Sequence, residues 1–506
     1  MLIRALAAGL LCISAASIAR AQDVPVATIV EQAVAARDSG QFARAAELLR
    51  DALQREPDNG DAARLLAQTL YWLKDIQGAA AAYEQAVARH PDDTSLRLDY
   101  ARMLVDLRRD ARATEILRPL VEGPDTRSRA ATLLGTLLYW QGDLAGASRN
   151  FRAALSTDPS STDAARMLGE IRSLSAPWLS LEADGLHDDQ PLDRIDGNVE
   201  AGFFVNPLLS VSAHVRPMHF RVADSASANI YLGEVGVSHF APSARMETRL
   251  SAGVVHRDAD SLANEWTARG SIRFRLPNKL SIEASVQRAP YLSTIASISQ
   301  PVMVESGALA FALNNYSGWL GEAAVKLDRF PDDNKTTSAY AWALAPVIRS
   351  KSASMSIGYS FATQDADSVQ FVLNKPNQSV PPSSPSFDFS GRYDPYYTPS
   401  NIISHSALAS LTLRPSAKTT VTARAGYAFH ATENAPTFVL LNGSPIPGYD
   451  LQLVERKFNP WDAHIVLASE IAPAVALSAS IDRMKTAFYT ATSGSVKLTY
   501  QFLPSR

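Results

Sequence analysis

The spacing of apolar residues changes near residue 176 of this chain. Before that point apolar and small residues recur with a helical period, and after it they alternate with polar residues almost to the C-terminus. A helix returns to one face every three or four residues, whereas a strand turns successive side chains to opposite faces. The pattern therefore predicts a helical domain over 26–175 and an all-β domain over 176–506.

The helical part contains an internal repeat. Pro57, Pro91 and Pro159 fall on a 34-residue period, which is the period of tetratricopeptide repeats, and Asp125 occupies the remaining register. Small residues recur where paired helices would cross, at Ala33, Ala67, Ala101 and Gly135 in first helices and at Ala45, Ala79, Ala113 and Ala147 in second helices. We expect about four repeats and a capping helix, stacked into an α-solenoid with a concave side for a partner.

Two of these repeats share an aromatic phrase. Tyr71 and Trp72 follow a leucine in the second unit, and Tyr139 and Trp140 follow a leucine in the fourth. These four side chains either pack between repeats or bind a ligand on the concave face. The sequence leaves both interpretations open.

The β part alternates charged and apolar positions over long segments. Glu265, Arg269 and Arg273 share one parity, and Trp266 and Phe274 share the other. A soluble sandwich alternates in the same way, so the connections must discriminate. About sixteen segments can be counted, and very short connections such as Ser416-Ala417 alternate with longer ones at about 364–402 and 431–460. This is the pattern of an antiparallel transmembrane β-barrel, which must close because no unpaired backbone can face lipid.

A barrel of sixteen strands encloses an aqueous passage. Alternation predicts a set of inward, pore-lining charges of both signs, namely Glu234, Glu247, Arg249, Glu265, Arg269, Arg273, Glu283, Glu322, Lys326, Arg424 and Asp482. Acidic and basic side chains are nearly balanced over 178–506, which favours a neutral or weakly charged cargo over a strongly anionic polymer. The alternative is that these charges form a salt-bridge lattice that only stiffens the wall.

The connection at 376–402 combines prolines with aromatic residues. Pro381, Pro382 and Pro385 predict a stiff, extended segment, and the aromatic residues that follow are Phe387, Phe389, Tyr393, Tyr396 and Tyr397. Aromatic rings offer stacking surfaces to sugars, so the loop is a candidate gate or sugar-stacking site over the mouth of the barrel. The alternative is an exposed loop that contacts nothing.

Composition and the N-terminus restrict the remaining possibilities. Arg4, the apolar stretch that follows it and the small residues near Ala21 predict a signal peptide over 1–21, and the single cysteine, Cys12, lies within it. We therefore expect no disulfide, thiolate metal site or cofactor. A net charge of −3 without a long basic run argues against nucleic-acid binding. His405, flanked by Ser404 and Ser406, is the nearest candidate for catalysis, and we expect no enzyme.

Two segments carry a resemblance to a known family. The phrase from Leu65 to Trp72 and the stretch Gly391-Arg392-Tyr393-Asp394-Pro395-Tyr396-Tyr397-Thr398-Pro399 are similar to parts of the bacterial exopolysaccharide exporters that join tetratricopeptide repeats to an outer-membrane barrel, such as the C-terminal part of cellulose synthase operon protein C and the poly-N-acetylglucosamine export porin. In that family the second stretch looks like one that opens a late strand. The chain carries about four repeats, fewer than those exporters usually have.

The resemblance implies an outer-membrane conduit for an exopolysaccharide, as in cellulose biosynthesis or biofilm formation. Its repeats would lie in the periplasm and bind polymer or the periplasmic or inner-membrane components of a synthase. The second hypothesis is an anchored scaffold or surface receptor, whose repeats recruit an envelope complex and whose barrel does not conduct.

Overall fold

The structure is a computed structural model that describes residues 24–189, 192–222, 226–258, 263–314, 317–378, 380–441, 448–487 and 489–503. The signal peptide predicted over 1–21 lies outside these residues. In the described residues, no helix has the length and apolarity needed to cross a membrane.

Nine helices make up the described N-terminal region. They are α1 (Val26–Asp38), α2 (Phe42–Arg55), α3 (Gly60–Trp72), α4 (Ile76–Arg89), α5 (Thr94–Asp106), α6 (Asp110–Glu122), α7 (Arg127–Trp140), α8 (Leu144–Thr157) and α9 (Thr162–Leu174). They form four helix pairs and a final single helix, as the repeat pattern predicts.

Local sequence signals explain where several of these helices begin. Asn59, Asp75 and Asp93 precede α3, α4 and α5, and each side chain accepts a hydrogen bond from a backbone N–H of the first turn. Such caps satisfy donors that have no partner within the helix. The small crossing residues are buried: Ala45, Ala67, Ala79 and Ala101 have no exposed surface. Their size lets the helices of each pair approach closely.

Nineteen strands follow in the described residues. They are β1 (Trp178–Asp188), β2 (Leu192–Asn206), β3 (Leu209–Val222), β4 (Ala226–Ala241), β5 (Met246–Arg257), β6 (Glu265–Arg275), β7 (Leu280–Pro290), β8 (Met303–Asn314), β9 (Leu320–Arg329), β10 (Lys335–Arg349), β11 (Ala353–Ala366), β12 (Phe371–Leu373), β13 (Gly391–Tyr393), β14 (Ile402–Ser416), β15 (Thr419–Leu440), β16 (Tyr449–Phe458), β17 (Trp461–Ala472), β18 (Val475–Lys485) and β19 (Thr490–Gln501). One short helix, α10 (Ile295–Ser299), lies between β7 and β8.

All strands except β12 and β13 belong to one antiparallel sheet, and β1 closes it by pairing with β19 as well as β2. β16 and β17 lie in line: both pair with β15, the first with its C-terminal half and the second with its N-terminal half. The interruption falls at Asn459 and Pro460. Counted as one interrupted strand, β16 and β17 give the closed 16-stranded barrel that the sequence predicts.

The two ends of the barrel differ in their connections. At one end, which we call the turn end, the backbone of Phe502 donates a 2.9 Å hydrogen bond to Pro177, and connections such as 417–418 and 473–474 are very short. At the opposite end, the loop end, 291–302 joins β7 to β8 and 367–401 joins β11 to β14. Short turns at one end and long loops at the other are characteristic of outer-membrane barrels.

Two predicted loops contain more regular structure than the sequence indicates. The prediction of a loop over 431–460 is wrong, because β15 continues to Leu440 and pairs there with β16. Within 367–401, β12 and β13 form a small separate hairpin. The stretch from Gly391 that resembles a strand opening therefore belongs to this hairpin, and the next barrel strand begins at Ile402.

Candidate functional site: the interior and loop end of the barrel

The two faces of the closed sheet differ in chemistry and burial. On β6, exposed Trp266, Ile272 and Phe274 alternate with buried Thr267 and with Arg269. The strand pairing places Glu234 of β4 on the same face of the sheet as Arg269. Glu234 is only 4% exposed. In a closed sheet the buried face is the inner one, so the charged face lines the interior and the apolar face forms the outer wall.

The register places the predicted pore-lining residues on this inner face. They are Glu234, Glu247, Arg249, Glu265, Arg269, Arg273, Glu283, Glu322, Lys326, Arg424 and Asp482. Glu265 is the first residue of β6 and pairs with Val255, which is 1% exposed and lies in an inner-face cluster. The Glu265 carboxylate also lies 3.0 Å from Arg288, whose guanidinium is over the outer-face ring of Trp266.

Most inner-face charges between β1 and β7 are paired. Asp196, which is not among the predicted pore-lining residues, accepts hydrogen bonds from Arg216 at 2.6 Å and from Arg194 at 3.2 Å. Its side chain is fully buried. Buried carboxylates require such partners, since desolvation penalises an isolated charge. These contacts connect β2 and β3 on the inner wall.

A second buried carboxylate, Glu234, connects the next strands. It accepts a 2.9 Å hydrogen bond from the Thr267 hydroxyl, and it lies 3.7 Å from Arg269 and 3.5 Å from His214. Further along, Arg273 donates to Glu283 at 2.6 Å. The interior of β1–β7 therefore contains the lattice of compensated charges that the sequence raises as an alternative.

Arg424 lacks this compensation. It forms none of the ion pairs found among the described residues, and its register neighbour is His464, which bonds to Asp482. A paired charge has a weak external field, whereas a single one acts on passing ions. Arg424 is therefore the predicted pore-lining cation with the clearest means of influencing ion passage.

At the loop end, α10 folds inward. Thr294 and Ser297 form a capping box at its start, and Ile298 packs in a buried cluster with Phe220, Ile230 and Leu232 from the inner face of β3 and β4. The sequence pattern does not predict this helix. Its one signal is the apolar pair Ile295 and Ile298 within a short polar loop.

The loop over 367–401 is anchored beside α10 by Tyr396. This ring is 1% exposed, stacks on Phe330 with centroids 3.6 Å apart, and joins a buried cluster with Val304 of the inner face. Its hydroxyl donates to Asp332 at 2.6 Å. Burial and this carboxylate raise the pKa of Tyr396, so the phenol remains a donor well into the alkaline range. A ring covered on this scale offers no face to a sugar, so the stacking role predicted for Tyr396 is wrong.

The other predicted gate residues are grouped in aromatic contacts. Tyr393 and Tyr397 lie 4.7 Å apart between ring centroids, as do Phe387 and Phe389, and Phe387 also approaches Tyr449. Burial raises the pKa of both tyrosines. The loop is therefore packed rather than isolated, and Phe387 and Phe389 retain partial exposure.

The two inward loops are joined to each other. The Thr294 hydroxyl donates to the Pro395 carbonyl at 2.5 Å, and the Tyr397 backbone N–H donates to the Tyr291 hydroxyl at 3.2 Å. Movement of 367–401 must therefore break contacts with the segment that carries α10. The loop end is a coupled structure of two loops.

The repeat residues singled out by the sequence combine packing with exposure. Trp72 is 46% exposed, although it contacts Phe42 and lies under the Arg37 guanidinium. The Tyr71 hydroxyl donates to Asp106 at 3.5 Å. The partly exposed indole leaves a ligand-binding role for these residues as a prediction.

The fourth repeat shows the same arrangement. Tyr139 donates to Glu170, and this bond raises the pKa of Tyr139 to about 12. Trp140 is 44% exposed. The two aromatic phrases therefore share a local geometry as well as a sequence.

The suspected catalytic group does not assemble. His405 lies on the outer face, where its Nδ1 is 2.6 Å from the Tyr359 hydroxyl. Ser404 and Ser406 are its immediate neighbours on β14, and alternation turns their side chains to the opposite face. The structure therefore separates the imidazole from both hydroxyls.

The fold and the site together define a class: tetratricopeptide repeats joined to a transmembrane β-barrel of the outer-membrane type. Residues 27–165 match the family described as the cytochrome c-type biogenesis protein H TPR domain. Human intraflagellar transport protein 70B is 33% identical over 108 residues, which cover 21% of this chain and 16% of that protein. The chain thus spans about a sixth of the length of the curated relatives it matches.

Solved structures are similar to one part of the chain or another. The structure titled "Bacterial polysaccharide outer membrane secretin" has a TM-score of 0.46 and 9% identity, and the match covers 65% of this chain and 99% of that one. Pseudomonas aeruginosa pilF has a TM-score of 0.27 and 21% identity, covering 29% of this chain and 66% of that one. The barrel is established by its own strand pairing.

Proposed function

We propose that this protein is an outer-membrane conduit for the export of an exopolysaccharide. The observation that carries the proposal is a closed 16-stranded wall that is apolar outside and hydrophilic inside. Barrels of this size enclose room for water and solute, whereas eight-stranded barrels are filled by their own side chains. The sequence resemblance to exopolysaccharide exporters supports a polymer as the cargo.

The charges of the interior favour a neutral or weakly charged polymer. Asp196, Glu234 and Glu283 each lie against arginine, so both signs are compensated locally. A pore for a strongly anionic chain needs an excess of basic groups to hold its cargo. The repeats have the remaining role of binding polymer or synthase components in the periplasm, with the exposed rings of Trp72 and Trp140 as candidate contacts.

The alternative is an anchored scaffold whose barrel does not conduct. It is favoured by the inward folding of the loop end, where Ile298 and Tyr396 are buried in clusters that include inner-face residues. The conduit hypothesis interprets the same contacts as a closed gate. The two hypotheses differ in what happens when these contacts are broken.

Efflux from proteoliposomes separates the two functions. The full-length protein is reconstituted with a trapped neutral hexasaccharide, and release is compared for wild type, Tyr396→Ala and Tyr396→Phe. A conduit predicts faster release for Tyr396→Ala, because both the stacking on Phe330 and the bond to Asp332 are lost. Tyr396→Phe keeps the stacked ring and should release more slowly than Tyr396→Ala. Equal retention by all three proteins would favour the scaffold.

A further inference from the structure

Charge is distributed unevenly around the inner wall. The inner positions in the middle of β10, β11 and β14 carry no charged side chain, in contrast to the ion-pair lattice of β1–β7. We call this region the neutral strip and define it by Ser338, Tyr340, Trp342, Ser360, Ser404 and Ser406. The serine hydroxyls provide its polar surface, and the rings of Tyr340 and Trp342 provide its apolar surface.

The strand register arranges the strip in two rows. Trp342 lies directly between Glu322 on β9 and Ser360 on β11, and Ser360 pairs in turn with Ser406 on β14. Adjacent strands are about 4.8 Å apart, so each row is a continuous band of neighbouring side chains. Trp342 is near the middle of β10 (Lys335–Arg349), well below the loop end. The strip is therefore part of the barrel wall, separate from the two inward loops.

The second row leaves an aromatic ring uncovered. Tyr340 is flanked across the sheet by Ala324 and Ala362, whose methyl groups are too short to cover it, and it is 40% exposed. Its hydroxyl donates to Glu322, which holds the ring in place and keeps a carboxylate beside it. Tyr340 and Trp342 are two residues apart on one strand, so they present two successive rings on the same face.

This combination fits one class of ligand. A sugar unit has apolar C–H faces and hydroxyl edges, so it matches an aromatic surface bordered by serine hydroxyls and an acceptor carboxylate. The strip itself carries no charged side chain, and the Glu322 carboxylate at its edge is bonded to the neutral Tyr340 hydroxyl. On the opposite side of the wall, Asp196 and Glu234 are already bonded to their own partners.

We propose that the neutral strip is a binding track for an uncharged linear polysaccharide, with Tyr340 and Trp342 as stacking surfaces and with Glu322, Ser360 and Ser406 as hydrogen-bonding groups. This inference rests on the proposed conduit function. It assigns the polymer to one side of the lumen. The charged lattice of β1–β7 then serves as the rigid opposite wall.

Ionic current through the full-length protein in a planar bilayer tests the track. Cellohexaose is the neutral probe, and a hexamer of galacturonic acid is the charged comparison. We expect reversible blockades by cellohexaose and fewer by the acidic hexamer. Trp342→Leu should shorten the blockades about tenfold, since loss of a stacked ring with its buried area is worth about one power of ten in affinity.

Matched variants show which side chains are responsible for the cellohexaose blockades. Trp266→Leu removes a tryptophan from the outer face and should leave blockade times unchanged. Tyr340→Ala tests the second ring and replaces Trp342→Leu if that variant does not fold, as judged by heat-modifiable migration on a gel. Tyr340→Phe keeps the ring without the bond to Glu322, and its effect should be smaller than that of Tyr340→Ala.

The outcomes separate the track from the conduit. Current with unaltered blockades in Trp342→Leu and Tyr340→Ala would overturn the track and leave the conduit standing. Current without any blockade by cellohexaose would also overturn the track. The absence of current from both wild type and a protein lacking 376–402 would overturn the conduit, and the track with it.

Discussion

The repeats and the barrel place apolar side chains in opposite ways. In the repeats Leu117 and Tyr100 are buried, and ion pairs such as Arg112–Glu115 lie on the surface. In the barrel Asp196 and Glu234 are buried, whereas Val286 is 66% exposed. The same chain thus buries apolar side chains and exposes ion pairs in its repeats, whereas it buries carboxylates and exposes apolar side chains in its barrel.

The difference shows where each domain meets water. A helical repeat buries apolar groups away from the surrounding water, so its interior is apolar. Its surface ion pairs contribute little to the free energy of unfolding. A barrel in a membrane meets lipid outside and water inside, so its inner wall buries charged contacts such as those of Asp196 and Glu234 beside the apolar clusters of the loop end. An identical substitution should therefore have different consequences in the two regions, which leads to four predictions.

The largest effect is expected from Asp196→Ala. This change leaves Arg194 and Arg216 without their shared buried partner and should cost about 3–5 kcal/mol of unfolding free energy. Asp193→Ala is the matched control, because Asp193 is on the same strand and also contacts two basic residues, Arg221 and His187, on the outer, exposed side. Urea unfolding in lipid vesicles should show a large loss for the first and none for the second. Equal losses would contradict the assignment of the two faces.

The second effect tests the outer wall. Val286 lies near the middle of β7, and Val286→Arg should cost about 2–4 kcal/mol in a bilayer, because a charge in the membrane centre loses its hydration. Leu73→Arg is the control, since Leu73 is exposed on the repeats and faces water. Urea unfolding in lipid vesicles measures both free-energy changes. A Val286→Arg protein as stable as wild type in lipid would show that this face does not meet the membrane.

The third effect concerns ion selectivity. Arg424→Gln removes a charge outside the ion pairs of the described residues, whereas Arg273→Gln removes one that Glu283 already compensates. The reversal potential in a salt gradient should therefore shift toward cations further for Arg424→Gln than for Arg273→Gln. The opposite order would mean that paired charges, rather than the single one, determine ion passage.

The smallest effect is expected in the repeats. The bond to Glu170 raises the pKa of Tyr139 to about 12, above the ordinary value near 10 of the unfolded chain. Its contribution to stability is therefore complete below pH 10 and is lost as the pH rises through about 12. Difference absorbance of wild type against Tyr139→Phe should reveal one phenol titrating near pH 12. In Glu170→Gln that phenol should titrate closer to pH 10, and an unchanged titration would exclude the bond as the cause.

Periodic features were predictable from the sequence. The 34-residue register identifies the helix pairs because Ala67 and Ala101 must be small where helices cross. The alternation at Trp266 and Arg269 identifies the strands and their faces because a pleated strand has only two sides. The sequence does not reveal that β16 and β17 lie in line as one interrupted strand. A proline such as Pro460 ordinarily marks the end of a strand.

The parts that the sequence missed depend on contacts between distant segments. Nothing local to Tyr396 indicates that its ring stacks on Phe330, and Ile298 reaches its cluster across the interior. The neutral strip could be recognised only from the strand register, because its rows combine residues of β10 with neighbours on β9, β11 and β14.

Single-channel conductance of the full-length protein in a planar bilayer, compared with a protein lacking 376–402, tests the central claim most directly. The deletion removes Tyr396 and the bond from Thr294 to Pro395, and thus separates the two inward loops. The conduit predicts steady openings in the deletion protein that exceed those of wild type. A barrel that folds and inserts but carries no current in either form would contradict it.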